Sequence, residues 1–187
     1  DVALDALVVG ASGSDLHFSP VRLTAAGAVH LDPSWVQAGA AQAESRTHGF
    51  FFRQDAQHAQ GVDGVAALPV RVPVAPAAGA VVLPGQPQWR EPLGSMVWLR
   101  VRSGAAGIEL APLGQVTAAG VPPGLADGCV ASCVDWYGNA RPIFLGQRML
   151  ALLGYELVEV EVSDRRAEGS GGASLRERQR LDFMPRR

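Results

Sequence analysis

Lysine is missing from this chain of 187 residues, and all 16 of its basic side chains are arginine. With Ala, Gly and Val abundant, that absence reads as coding-sequence composition rather than mechanism. An excess of one charge sign is lacking as well: 18 acidic residues leave a formal net charge of -2, so no global field recruits nucleic acid or anionic lipid. Long hydrophobic runs are absent, every apolar segment falling far short of the ~20 residues that a membrane helix requires. The chain starts at Asp1 without Met and carries no charged stretch followed by an apolar run, so it is expected to be a piece of something longer, any export signal lying upstream.

Catalytic and cofactor signatures are equally sparse. His17, His30, His48 and His58 are dispersed, with no HExxH or closely spaced histidine pair. No GxSxG elbow occurs, because the run from Gly10 to Ser14 ends in Ser. Val8 to Gly13 resembles the opening of a dinucleotide-binding turn, yet Asp15 and Leu16 stand where a third glycine belongs and the following residues alternate as a strand; a Gly-rich β-turn fits better. Cys129 and Cys133 are the only cysteines, and no second ligand pair lies close enough to make a zinc knuckle. In one continuous strand their Cα atoms stand about 13 Å apart, too far for a disulfide, whereas a turn permits a bridge; two buried thiols are the default reading. No catalytic set, metal or cofactor is expected.

What the chain does have is short apolar segments, and hydrophobic residues make up 48% of it, enough for a packed body. Between Gly49 and Val116 four follow in succession, GFFFR, GVAALPVRV, SMVWLRV and GIELAPLGQV, punctuated by Gly and Pro. That rhythm predicts an antiparallel meander. Before it, VALDALVVG, DLHFSPVRLT and AVHLDPSWV read as strands, and the alternation of Leu16 and Phe18 and, after Pro20, of Val21 and Leu23 suits half-buried strands with a kink at the proline. The run QAGAAQAESRT suits a short helix or a loop. Five prolines between Pro73 and Pro92 predict an extended surface excursion.

After a break at Ala118 to Gly128, CVASCVDW, RPIFLG, RMLALLG and YELVEVEV predict a second set of up to four strands. Val158, Val160 and Val162 then face one way and Glu159 and Glu161 the other. Residues 163–187, rich in Gly, Ser and Arg, are expected to form a flexible tail with a transient helix at Ser174 to Leu181. Glu156, Glu159 and Glu161 read as solvated charges on the outward side of a strand rather than as an acid–base pair.

The string AESRTHGFFFRQ, then GVAALPVRV, SMVWLRV, IELAPLGQV and ARPIFLGQRMLALLGYELVEVEV, resembles a family of secreted bacterial and archaeal proteins with a C-terminal β-propeller domain. His48, Gly49 and Phe50 match its His-aromatic strand entry, and Leu68, Pro69 and Val70 its Leu-Pro-Val strand end. Arg141, Ile143, Phe144, Gly146, Leu150, Leu152 and Val158 to Val162 match a later Arg-strand-turn-strand pattern. The likeness spans Leu4 to Val162 and departs at the proline-rich insertion before Gln88 and at Cys129 to Tyr137.

That resemblance implies an all-β fold of antiparallel four-stranded blades in residues 1–162, two to three in number at ~40 residues each. A closed propeller needs at least four, so the remaining blades would lie upstream or come from another chain. It further implies a secreted, periplasmic or envelope-associated bacterial protein acting as a non-catalytic binding or scaffolding module toward a protein or carbohydrate. The expected contacts are His48, at a strand entry, and the turn residues Asp135, Trp136, Tyr137 and Asn139, an aromatic pair beside polar groups. The competing expectation is a carbohydrate- or peptide-acting hydrolase or lyase at a propeller channel mouth. A small β-sandwich, or a sheet pairing edge to edge with a partner, is the third.

Overall fold

A computed structural model describes residues 6–23, 26–43, 49–55, 63–74, 90–104, 107–119, 140–163 and 173–183. Every extended element among them is a β-strand, and all pairings are antiparallel. Sheet I contains β1 (Ala6–Ser12), β2 (Asp15–Leu23), β3 (Val29–Leu31) and β4 (Trp35–Gln37), with β1, β3 and β4 all paired to β2. Sheet II contains β5 (Ala41–Gln42), β6 (Phe51–Gln54), β7 (Gly64–Val74), β8 (Arg90–Gly104) and β9 (Gly107–Thr117). Its last four strands form the meander expected from the four apolar segments. Sheet III runs in chain order through β10 (Ala140–Leu145), β11 (Arg148–Leu153), β12 (Glu156–Ser163) and β13 (Ser174–Asp182).

The sheets stack as three layers, because sheet II is apolar on both faces. Along β7, Ala66, Leu68 and Val70 pack toward sheet I while Val65 and Ala67 pack toward sheet III. Strand β8 repeats the division, with Val97, Leu99 and Val101 on the first side and Met96 and Trp98 on the second. Leu16 and Phe18 of sheet I close one core, and Ala151, Leu153 and Val158 of sheet III the other. Trp98 is fully buried and stands edge-on to Phe144, the ring centroids 5.7 Å apart. A strand buried on both faces reads as a near-continuous apolar run, and GVAALPV is one.

Pro69 is tolerated within β7 for a local reason. A strand residue's nitrogen and carbonyl point to the same side, and the Pro69 carbonyl accepts the Ala43 N–H at 3.1 Å. The missing N–H therefore faces the gap where β5, paired at Val70 and Arg71, gives way to β6, paired from Ala67 onward.

Strand β9 crosses between the two cores through a β-bulge. Ile108 and Leu110 pack toward sheet I, the register slips between Trp98 and Leu99, and Leu113 and Val116 pack toward sheet III. Buried carboxylates from the flanking sheets grip both ends of this strand. Asp32, after β3, receives Arg22 Nε at 2.6 Å and the Ile108 N–H at 2.8 Å. Glu156, opening β12, receives the Ala119 N–H at 3.0 Å and a second bond from Arg180. Gly107, at φ 128°, leaves room for Asp32, and Gly114, at φ 150°, leaves room for Leu175 of β13; a Cβ at either would lie under 3.0 Å from the neighbour.

Three expectations are corrected. Residues Ser174 to Leu181 form no helix or free tail; they are strand β13, held by pairing along β12, by Leu175 packed into the second core and by ion pairs to Glu156 and Glu161. Glu156 is not outward: it shares the inner side of β12 with Val158 and Val160. No change of phase occurs at Pro20, since β1 and β2 stay in register across it, so Val21 and Leu23 lie on the outer side of sheet I. The glycine-rich run is a hairpin turn, with Gly13 at φ 62° between paired Ser12 and Asp15.

The Asp32 carboxyl is held below the usual carboxylate range, first by the Arg22 hydrogen bonds and then by the Ile108 N–H, against desolvation. A carboxylate that is a stronger acid when folded stabilises above its unfolded pKa of about 4 and loses that contribution as pH falls through its folded value. Asp32→Asn is therefore expected to lower stability by about 2 kcal/mol at neutral pH and to flatten the loss below about pH 4, read by urea unfolding at several pH values. Glu156→Ala leaves the Ala119 N–H and Arg180 without their acceptor. It is expected to cost about 1–3 kcal/mol and to speed amide exchange in β13 selectively; unchanged β13 protection would refute the clasp.

Candidate functional site

The groups drawn together at one place are charged and gather where the gap between sheets II and III opens at the margin of sheet III. On the sheet II side Val65, Trp98 and the following Arg100 lie on the inner face, since alternate residues of β8 share a side. Arg53 of β6 joins them. From sheet III come Arg148 and Met149 of β11, residues 159–162 of β12 and Arg178 of β13. Together with Asp55 and Gln147 these residues, Trp98 excepted, line an open cleft of about 330 Å³, with four arginines and three carboxylates around a floor of Val65, Met149 and Val160.

Most of that charge is locked in pairs. Arg148 makes a two-bond fork to Glu159, with nitrogen–oxygen distances of 2.9 and 2.7 Å. The fork holds the Glu159 carboxyl below its ordinary range and raises the Arg148 guanidinium above its own. Arg178 Nε lies 3.3 Å from Glu161, and Arg100 donates to Asp55 at 3.0 Å. Asp55 is held in turn by its backbone, whose N–H donates to the Asp63 carbonyl at 2.8 Å. Asp63 then caps the end of β8 by accepting the Ser103 N–H and hydroxyl.

Arg53 is placed differently. Its guanidinium lies 5.0 Å above the Phe144 ring centroid and donates to the Gly146 carbonyl at 3.2 Å. Burial depresses its pKa, with Asp55 opposing and Arg100 reinforcing the shift. The Arg100 Nε–H is buried without an acceptor.

A second feature is the outer side of sheet I. Register places Val8, Val21, Leu23, Val29, Leu31 and Val36 there together. Leu31 is 73% exposed, Val29 63% and Leu23 52%. Few charges interrupt the surface, and apolar patches of this kind mark interaction sites.

The expected contacts His48, Asp135, Trp136, Tyr137 and Asn139 lie outside the described residues, as do Cys129 and Cys133. Glu159 and Glu161 face outward as expected but sit in ion pairs along the cleft. The cleft arginines were missed. Arg100 alone left a signal in the sequence, because Met96, Trp98 and Arg100 alternate in phase and carry a cation onto an otherwise apolar side. Among the described residues no helix is long and apolar enough to cross a membrane. Comparison with protein-family models, curated proteins and solved structures finds no match to this chain.

Proposed function

We propose that this chain is a non-catalytic binding or scaffolding module built of propeller-type blades, belonging to a secreted or envelope-associated bacterial protein. The bare outer side of sheet I carries the reading. Sheet II is dry on both faces because a neighbouring sheet covers each, whereas sheet I meets a neighbour on one side and presents Val8, Leu23, Val29 and Leu31 on the other. Successive meanders stacked face to face in chain order are the arrangement of neighbouring blades, and a further blade, from upstream or from another chain, is the natural cover for that surface. The ligand would be a protein or carbohydrate held by loops on one rim, the stiff stack supplying the platform.

The test is to make the double variant Leu23→Glu/Leu31→Glu. Both side chains are exposed, so the melting temperature should change little, by no more than about 1 kcal/mol in stability. The unaltered chain is expected to self-associate or to bind an apolar dye, as read by light scattering and fluorescence, and the variant to lose both properties. An unaltered chain that is monomeric and dye-silent would overturn the reading.

A further inference from the structure

The cleft between sheets II and III is unevenly neutralised. Arg100, Arg148 and Arg178 each have a carboxylate partner, but among the described residues no carboxylate lies within 4.0 Å of Arg53. What Arg53 has instead is the Phe144 ring and one carbonyl oxygen, which orient a cation without cancelling its charge. Its neighbour Arg100 gives Asp55 a single bond and keeps a buried Nε–H with no acceptor, so among the described residues Asp55 is the one carboxylate bonded to either guanidinium. Burial and like charge both work against the charged form of Arg53, and an incoming anion would relieve the second.

The walls and floor narrow the class of anion. Planar guanidinium forks match a carboxylate in two-bond geometry. Beneath them Val65, Met149 and Val160 are almost wholly buried and offer an apolar base. A volume of about 330 Å³ is at the small end of the range for ligand pockets. We propose that this cleft binds a short-chain monocarboxylate, its carboxyl group set against Arg53 and Arg100 and its hydrocarbon portion against Val65, Met149 and Val160. The site is independent of the blade reading, since its described residues come from sheets II and III and the turns beside them and lie away from the outer side of sheet I.

Titration of the full chain with hexanoate, followed by calorimetry and by methyl resonances of Val65 and Val160, tests the assignment. Saturable binding is expected, with hexanamide, the uncharged analogue, and inorganic phosphate, an anion without an apolar body, each at least about tenfold weaker. Arg53→Gln should weaken hexanoate about tenfold, while Arg141→Gln, an exposed change outside the cleft, should leave it unaltered. Asp55→Asn removes the internal competitor for Arg100 and should tighten binding several-fold, a gain that a purely structural role would not produce. If Arg53→Gln does not fold, the Asp55→Asn comparison carries the test alone. Absence of saturation, equal binding of hexanamide or phosphate, or an unchanged affinity in Asp55→Asn would each overturn the proposal.

Discussion

Everything in this structure depends on sheet II having no wet face. A β-sheet normally solves the burial problem with one apolar side, and alternation then leaves polar residues on the other. Here β7 and β8 present small and branched side chains alternately up and down, Val65 and Ala67 against one neighbour, Ala66 and Leu68 against the other. Neither flanking sheet can be removed without exposing a full apolar surface. The three layers are thus energetically one body, although each sheet is made from its own contiguous stretch of chain.

Apolar burial lacks direction, so the polar clasps are what set how the layers align. Asp32 and Glu156 come from opposite sides and from residues 124 positions apart in numbering, yet each accepts a backbone N–H at one end of β9. Each also binds an arginine of its own sheet, so neither carboxylate is buried uncompensated. The bulge in β9 makes this two-sided grip possible: it moves the apolar side chains from one core to the other within a single strand. Gly107 and Gly114 leave room where Asp32 and Leu175 of the flanking sheets press against that strand.

The strand rhythm of sheet II and the alternation of β12 were legible from residue pattern, because a dry two-faced strand and a half-wet strand each leave a distinct signature. Two features were not. SLRERQRLD has too few apolar residues to read as a strand, and its order comes from pairing to β12 and from arginine contacts with Glu156 and Glu161, partners that only the fold supplies. At Pro20 a kink was the economical reading because Leu16 and Phe18 alternate before it and Val21 and Leu23 after it; the strand instead runs straight and leaves Val21 and Leu23 outside. The cleft was hidden for a related reason. Arg53, Arg100, Arg148 and Arg178 belong to four different strands, and no spacing in sequence reports a side-by-side arrangement of that kind.

The two ends of the stack differ in a way that bears on how it grows. Strand β13 is the last strand of sheet III, and it carries Arg176, Glu177, Arg178 and Arg180. Dense charge on a terminal strand opposes pairing with a further strand, so continuation of that sheet edge to edge is disfavoured. Sheet I has the opposite character, a nearly uncharged outer surface formed by β1 to β4. A partner on such a surface would meet it face on, by apolar contact, as the two neighbouring sheets meet sheet II. A charged edge strand beside an apolar outer face opposes strand addition and favours contact by stacking, which is the difference between the proposed blade arrangement and one in which the sheet pairs with a partner's edge.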